Sequence, residues 1–109
     1  MSQWDELIEV YRANEIESAY SVKKDWDHPI LVLSSRASVQ PDRNFEMRSP
    51  ERDLAQERLN VFIPYTTVID DQHRVKWRGL WYEVDGPPDL WPYGSTRHTL
   101  LKIWRAKNG

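Results

Sequence analysis

Residues Arg74–Ala106, RVKWRGLWYEVDGPPDLWPYGSTRHTLLKIWRA, decide the fold of this chain. Apolar side chains occupy every second position in three runs, which are separated by Arg78-Gly79, by Gly86-Pro87-Pro88 and by a loop over Asp89–Ser95. Alternation at period two places one set of side chains on a buried face and the other on an exposed face. Proline cannot donate to a β-ladder and therefore ends a strand. The stretch predicts a three-stranded meander whose core-facing residues are Trp77, Tyr82, Val84, Leu101 and Ile103.

Shorter alternating runs precede this meander. They predict strands over Leu7–Ala13, Ile30–Gln40 and Leu59–Val68, and a weak strand or extended loop over Ile16–Asp25. The first run could alternatively open as a helix with Ser2 as its N-cap. Short strands at this spacing, bounded by Pro, Gly and Asp, are typical of a barrel or sandwich. The chain is therefore predicted to be all-β, a single barrel-like domain over residues 1–109 with about five to seven mostly antiparallel strands.

Three sites rich in proline or aspartate are expected to shape the chain between these strands. Asp27-His28-Pro29 predicts a turn, because the residue before a proline is pushed away from helical angles. Pro64 predicts an edge strand or a bulge in the strand that contains it. Asp70-Asp71 is expected to provide the turn into the meander.

The composition restricts the classes of function. Of the 109 residues, 39% are hydrophobic and 29% are charged, but six tryptophans and five tyrosines can bury large rings. The chain contains no cysteine, which excludes disulfide and thiolate chemistry. Its start lacks the basic region and apolar run of a signal peptide, and no stretch approaches the ~20 apolar residues of a membrane span. We therefore expect a protein that is cytosolic where it is made, has no membrane partner, and could complete its burial in an oligomer.

Charge is distributed unevenly along the chain. The net charge of −2 is too near neutral for a dedicated nucleic-acid binder. Residues 1–30 carry seven acidic and three basic side chains, whereas residues 72–109 carry three acidic and seven basic ones. We expect the two ends either to lie side by side and neutralise each other within the fold, or to meet across neighbouring subunits.

A charge-rich segment, Pro41–Arg58, separates two of the predicted strands. It contains nine charged residues and two prolines in eighteen positions. Ser49 and Pro50 suit the N-cap and the first position of a short helix, which would then run over Pro50–Leu59. Unstructured connections of this length are uncommon in compact domains unless they are functional or disordered. We expect a long loop inserted in the barrel, with or without this helix, that is either mobile or works outside the barrel.

No arrangement of residues suggests catalysis or a cofactor. The three histidines are scattered, whereas a zinc site needs three or four converging ligands. The Asp25–His28 cluster is better explained as a turn in which aspartate caps its own backbone. Glu83 and Asp85 share a strand face, and we expect them to form cross-strand ion pairs with Lys102 and Arg105. The chain is therefore expected not to be an enzyme and to bind no metal or cofactor.

Four aromatic residues of the meander are candidates for a binding surface: Trp81, Trp91, Tyr93 and Trp104. Alternation turns Trp81 and Trp104 outward, and the other two lie in the proline-containing loop. Such rings could stack on single-stranded nucleic acid, as they do in OB-folds. Exposed tryptophans more often anchor protein interfaces, so we expect a protein interface here.

The order of short motifs along the chain resembles one protein family. A strand ending V-x-W-R-G at Val75–Gly79 is followed by Y-E-V-D-G-x-P at Tyr82–Pro88 and by R-H-x-x-L-K at Arg97–Lys102. Upstream motifs in the same order are Val10–Ala13, Asp25–Pro29, Ala37–Pro41 and Val61–Pro64. Together they resemble the head-to-tail stopper, or head-closure, proteins of long-tailed bacteriophages. Within Phe45–Leu59 no residue can be matched individually.

The resemblance implies a structural virion protein of the neck, present in the host cytoplasm during assembly and forming a ring of about six or about twelve copies. Such a ring joins the connector adaptor on the head to the tail terminator, and its long loops close the channel that holds packaged double-stranded DNA. Position in the chain places this gating role on Pro41–Arg58. Its candidate residues are Pro41, Arg43, Phe45, Met47, Arg48, Arg52, Leu54 and Arg58. The alternative is a small OB- or SH3-like barrel that binds nucleic acid or peptide.

Overall fold

The computed structural model describes residues 4–43 and 55–107, and it is built mainly of antiparallel β-strands. A three-residue 3-10 helix, Gly94–Thr96, precedes the last strand. The strands in chain order are β1 Glu6–Glu17, β2 Val22–Pro41, β3 Gln56–Ile63, β4 Arg74–Trp77, β5 Leu80–Val84, β6 Asp89–Trp91 and β7 His98–Ala106.

The seven strands form one sheet in the order β3-β2-β1-β4-β5-β7-β6, and β3 also pairs with β7. This additional pairing closes six of the strands into a ring of hydrogen bonds, while β6 lies beside the start of β7. A sheet closed on itself has an inside that side chains can fill. The predicted all-β antiparallel fold is thus confirmed, in the form of a small closed sheet.

One cluster of buried side chains fills the inside of the closed sheet. It takes apolar residues from every strand except β6, together with Ile69 from the connection before β4. Four of the five core residues predicted from the meander are buried, and the largest of them, Tyr82, is only 1% exposed. Trp77 is the exception: it is partly buried and packs against the cluster, with its ring 6.2 Å from that of Tyr82.

The inward-facing residues of β1 depart from strict alternation. Ile8 and Val10 are fully buried, but the next buried residue is Ala13, and Arg12 is exposed. The register between β1 and β2 shifts after Val10 and again after Arg12. A β-bulge inserts an extra residue and turns the following side chains to the other face. This irregularity keeps the charge of Arg12 out of the core.

The strands β1 and β2 form a long hairpin whose turn lies at Ser18–Ser21, where Ser18 N donates to Ser21 O at 2.9 Å. The predicted turn at Asp27-His28-Pro29 is wrong as a chain reversal, because β2 continues through these residues. They instead form a bulge at the register shift after Arg12. Asp25 caps the bulge in the predicted way, because its carboxylate accepts a 2.9 Å hydrogen bond from Asp27 N.

Strand β3 begins earlier than predicted and is not an edge strand. It starts at Gln56 and pairs with β2 on one side and with β7 on the other. Pro64 lies immediately after its last residue, Ile63, where the missing N–H disturbs no ladder. The prediction of an edge strand or bulge at Pro64 is therefore wrong.

The connection between β2 and β3 is shorter than the predicted segment Pro41–Arg58. Pro41 ends β2 and Arg58 lies within β3, so the connection spans residues 42–55. A helix reaching Leu59 is therefore wrong from Gln56 onward. Residues 44–54, on which the rest of that helix falls, lie outside the described part of the chain.

The loop predicted over Asp89–Ser95 begins with a strand. The three residues of β6 pair with β7 in the register Asp89–Leu100 to Trp91–His98. Only the remainder of the loop, with its 3-10 helix, is irregular.

The acidic start and the basic end of the chain meet within the fold. Strand β1 lies between β2 and β4. This arrangement brings a carboxylate oxygen of Glu6 to 3.1 Å from a guanidinium nitrogen of Arg78. Trp77 Nε1 also donates to Glu6 at 2.9 Å. Part of the charge asymmetry is therefore neutralised within the chain.

Glu6→Gln is expected to destabilise the fold at neutral pH and to have less effect in acid. The hydrogen bond from Arg78, followed by that from Trp77, lowers the pKa of Glu6 below its ordinary value of 4.5. A carboxyl group with a depressed pKa in the folded state contributes stability above its unfolded pKa, and the contribution is lost as pH falls through the folded-state pKa. Urea unfolding of both proteins from about pH 7 to about pH 2 measures this. A stability difference that stays constant over that range would contradict it.

The carboxylates of Glu83 and Asp85 pair with partners other than those predicted. Glu83 lies 3.8 Å from Arg74, and Asp85 lies 2.5 Å from Arg58. Arg105 bonds to Glu57 at 3.1 Å. The register of β5 with β7 sets Glu83 opposite Trp104, so its predicted pairs with Lys102 and Arg105 are wrong. Asp85 N donates to Lys102 O at 2.7 Å, but the Asp85 carboxylate is engaged by Arg58 and not by the predicted cations.

Candidate interaction surfaces

Four aromatic rings and three cations lie on the outside of the closed sheet. We call them the outer aromatic face, comprising Tyr11, Trp26, Trp81 and Trp104 with Arg58, Arg74 and Lys76. Directly opposed residues in an antiparallel pair share a face. The registers of β1 with β4, β4 with β5, β5 with β7 and β7 with β3 therefore bring most of these side chains together from five strands.

Cations cover three of the tryptophans on this face. Arg74 lies 4.1 Å from the centre of the Trp26 ring, Lys76 lies 5.5 Å from that of Trp81, and Arg58 lies 5.9 Å from that of Trp104. Each exposed cation–π contact contributes about 0.5–1 kcal/mol. A ring already covered by a cation offers less of its face to a stacking nucleobase.

Trp81 is the most exposed tryptophan of the outer aromatic face, at 40%. The Tyr11 ring lies 4.9 Å from it in a tilted arrangement. Burial, followed by the nearby Glu9 carboxylate, raises the pKa of Tyr11 above its usual value. Its hydroxyl therefore stays neutral at physiological pH, so this part of the face presents aromatic surface beside charged groups.

A groove of about 290 Å³ lies between two of the rings on the outer aromatic face. Trp26 and Trp104 line it, with Arg74, Glu83 and His73 between them. Its charged groups are of both signs, and two of them, Arg74 and Glu83, face each other at 3.8 Å. The groove therefore suits a polar protein surface better than a phosphate chain.

A second groove, of about 300 Å³, lies beside the start of β7. We call it the Trp91 groove. Its lining residues are Trp4, Ser38, Gln40, Phe62, Thr96 and His98. The ring of His98 lies 5.6 Å from that of Phe62 and is stacked on that of Trp91 at 5.9 Å. Trp91 is 55% exposed and Tyr93 is 79% exposed, so large aromatic surface remains in water at this place.

A buried tyrosine holds the end of the 42–55 connection where it joins β3. Glu57 accepts hydrogen bonds from the Tyr82 hydroxyl and from Arg105 Nε, the latter at 3.1 Å. Burial, followed by the hydrogen bond to Glu57, raises the pKa of Tyr82 from 10.0 to about 12. The hydrogen bond that Arg105 makes to Tyr82, followed by the one to Glu57, raises the pKa of Arg105. Both groups therefore keep their ordinary protonation at neutral pH, and the network stays intact.

Backbone hydrogen bonds fix the two ends of the 42–55 connection. Asp42 N donates to Arg58 O at 3.0 Å, and Lys107 N donates to Ala55 O at 2.9 Å. The connection therefore leaves and rejoins the closed sheet at defined points beside the end of β7.

The structure places the predicted gating residues in different environments. Pro41 and Arg58 lie on strands, and Arg43 is exposed just after β2. Arg58 is engaged by Asp85 and by Trp104. The remaining gating candidates fall outside the described residues: Phe45, Met47, Arg48, Arg52 and Leu54.

The predicted interface residues fall into two groups. Trp81 and Trp104 belong to the outer aromatic face. Trp91 stacks on the groove residue His98, and Tyr93 is exposed in the loop between β6 and β7. Trp104 is partly buried under Arg58.

Sequence reasoning missed two aromatic members of the outer aromatic face, Tyr11 and Trp26. Tyr11 could have been found, because alternation already separates it from Ile8 and Val10. Trp26 lies beside the bulge in β2, where no periodic pattern indicates its direction.

Within residues 4–43 and 55–107, no group of three or more His, Asp or Glu side chains could hold a metal ion. In the same part of the chain, no helix has the length and apolar character needed to cross a bilayer. No model of a known protein family matches the sequence, and no curated protein shows significant similarity to it. The function is therefore inferred from these surfaces and from the order of the sequence motifs.

Proposed function

We propose that this protein is a structural, non-catalytic component of the neck of a long-tailed bacteriophage, a head-to-tail stopper. In this role copies of the chain form a ring between the connector adaptor on the head and the tail terminator. The 42–55 connections of the ring close the channel and retain packaged DNA.

One observation carries the proposal: a small closed sheet has a charge-rich connection inserted between two of its central strands and held at its root. The connection is fixed by Asp42, Ala55 and their backbone partners. The motifs that resemble the stopper family fall around it on β1, β2, β3, β4, β5 and β7. A connection held in this way can point away from the closed sheet without weakening it.

The exposed surfaces fit a protein assembly. The core of a protein interface is enriched in aromatic residues and arginine. The outer aromatic face presents both kinds of side chain, and the Trp91 groove presents aromatic ones. The net charge of −2 does not favour wrapping of DNA around the whole molecule. DNA contact in this proposal is limited to the connection. Since Arg58 is paired with Asp85, we assign the phosphate contacts of this proposal to the other arginine candidates, Arg43, Arg48 and Arg52.

The exposed rings of Trp91 and Tyr93, on which nucleobases could stack, also favour a second candidate, an OB- or SH3-like module for single-stranded nucleic acid. That module would bind an oligonucleotide as a monomer, and its affinity would fall steeply with salt because each phosphate contact releases a counterion. Fluorescence anisotropy with an oligonucleotide at several salt concentrations distinguishes the two. Tight, strongly salt-dependent binding by a monomer would favour the module over the stopper.

A null allele in the phage genome that encodes the chain tests the proposed function. We expect heads that package DNA but do not retain it and do not join tails. Supplying the intact chain in trans should restore complete virions. Normal virions from the null allele would rule the role out, and a block before packaging would indicate an earlier function.

Trp91→Ala is expected to weaken incorporation of the chain into the head–tail joint by about 2 kcal/mol, the usual scale of an interface hot spot. The ring is 55% exposed, so its removal should change thermal stability little. Co-purification of the variant with heads, in competition with the unmodified chain, measures the loss. Early melting with normal incorporation would instead assign Trp91 to the stability of the fold.

A further inference from the structure

Hydrogen bonds around one aspartate and one histidine close the turn that leads into β4. His73 N donates to Asp70 O at 3.3 Å, and Gln72 N donates to a carboxylate oxygen of Asp70 at 2.8 Å. Asp70 N donates to Nδ1 of His73 at 3.0 Å. The turn follows Ile69, which is buried in the core cluster. It therefore fixes the path of the chain from the core to the start of β4.

The turn is connected to its surroundings through His73 and Gln72. The side chain of His73 is only 11% exposed. It lines the groove between Trp26 and Trp104 and also a second groove, of about 230 Å³, beside the end of β1. Gln72 accepts a hydrogen bond from Lys24 Nζ of β2. A rearrangement of the turn would therefore reach both β2 and the outer aromatic face.

Nδ1 of His73 has two neighbours that require opposite protonation states. The backbone N–H of Asp70 can only donate, so its 3.0 Å bond requires an unprotonated Nδ1. The carboxylate oxygen Oδ1 of Asp70 lies 2.9 Å from the same nitrogen. An ionised carboxylate can only accept, so a bond there requires a protonated Nδ1. The turn therefore has two mutually exclusive hydrogen-bond arrangements at one atom.

Charges of both signs surround the His73 ring. Besides Asp70, the charged residues that line the two grooves with it are Arg12 and Glu15 of β1, Lys24 of β2, Asp71 of the turn, Arg74 of β4 and Glu83 of β5. Three of these are basic and three are acidic. Among the described residues, only the Asp70 carboxylate forms an ion-pair contact with the ring. The contact with Asp70 therefore decides between the two arrangements.

We propose that the Asp70–His73 turn is a protonation-operated switch. Neutral His73 accepts the hydrogen bond from Asp70 N. When Nδ1 takes a proton from the solvent it donates to the Asp70 carboxylate instead, and the Asp70 N–H loses its acceptor. The new bond is charge-assisted and therefore of the stronger kind, whereas the released N–H loosens the backbone between Ile69 and β4. The switch goes beyond the proposed stopper role and does not depend on it.

A second pair of the same residues provides a control within the chain. Nδ1 of His28 lies 3.1 Å from a carboxylate oxygen of Asp25, at the same spacing of three positions. Among the described residues no backbone N–H donates to this nitrogen, because the nearby Asp27 N donates to the other Asp25 oxygen. Protonation of His28 therefore strengthens an existing contact and releases nothing. Only the Asp70–His73 pair has the exchange of partners that the switch requires.

NMR spectroscopy of the ¹⁵N-labelled full chain between about pH 8 and about pH 5, where histidine changes its charge, tests the switch. At the upper end, a scalar coupling through the hydrogen bond should connect Asp70 N with His73 Nδ1. The coupling should vanish as His73 is protonated. Protection of the Asp70 amide against hydrogen exchange, relative to its intrinsic rate, should fall by roughly three- to tenfold, the equivalent of one hydrogen bond. Protection of the Asp25 amide should not change.

Two matched substitutions assign the response to one histidine. His73→Gln keeps an acceptor for Asp70 N but does not titrate, so protection of the Asp70 amide should be equal at both ends of the range. His28→Gln should leave the response of Asp70 unchanged.

Three results would overturn the switch. The first is a coupling that persists after the ring signals of His73 show protonation. The second is a His73 ring that stays neutral down to about pH 5, and both of these need only the unmodified chain. The third is an equal fall in Asp70 protection in the His73→Gln variant.

Discussion

Replacing Tyr82 by alanine is expected to lower the free energy of unfolding by about 3–5 kcal/mol, the usual cost of removing a large buried aromatic ring. Tyr82 is 1% exposed and is the largest fully buried side chain of the described core. Its hydroxyl also donates to Glu57, which Arg105 holds from β7. The substitution therefore leaves a cavity and deprives a partly buried carboxylate of a donor.

Urea unfolding of three variants measures this expectation and separates its two parts. Tyr82→Phe keeps the ring and loses only the hydrogen bond, so it should cost about 1 kcal/mol. Tyr20→Ala removes the same side chain from a 98% exposed position and should change stability by no more than about 0.5 kcal/mol. A loss below about 1 kcal/mol for Tyr82→Ala would mean that the inner face of β5 is assigned wrongly.

Excising residues 44–54 is expected to leave the closed sheet folded and to abolish retention of packaged DNA. A flexible Gly/Ser link between Arg43 and Ala55 can replace the segment at little cost, because closure of a short flexible loop changes the free energy only slowly with length. Virions that carry this variant should join heads to tails and then lose most of their DNA. Nuclease-protected DNA in purified particles measures the loss.

A chain with the same eleven residues in scrambled order is the matched control for loop length. Leakage with the scrambled segment would show that its sequence matters as well as its presence. Normal retention by the excised variant would reject the gate. Unfolding of the excised variant would show that the segment belongs to the core.

The core of the meander could be predicted from the sequence because alternation is a local property. Tyr82 and Leu101 each lie in a strand whose neighbours alternate without interruption, and both are buried. Period two then fixes the direction of every second side chain. Trp77 shows the limit of this reasoning, since it ends β4 and lies at the margin of the cluster.

Strand length, bulges and pairing could not be predicted in this way. The residues of the bulge at Asp27-His28-Pro29 are also typical of a turn. Only pairing with β1 keeps the chain extended there. The partners of Asp85 and Arg105 depend on the register of β3 with β7, in which Glu57 and Arg105 are 48 positions apart. Such long-range registers follow from how the closed sheet fits together as a whole.

For the same reason, only part of the candidate surfaces could be predicted from the sequence. Trp81 and Trp104 were expected to face outward from alternation alone, and both do. Their grouping with Tyr11 and Trp26 depends on which strands the closed sheet sets side by side. The Trp91 groove also needs residues from β2 and β3, far from the loop that contains Trp91.

Cryo-electron microscopy of the neck in intact virions tests the central claim most directly. The account predicts a ring of closed β-sheets between the connector adaptor and the tail terminator. The 42–55 connections should point toward the axis, and each subunit should contact the next. Virions whose neck lacks this chain, or a ring whose connections point away from the axis and leave the DNA channel open, would contradict it.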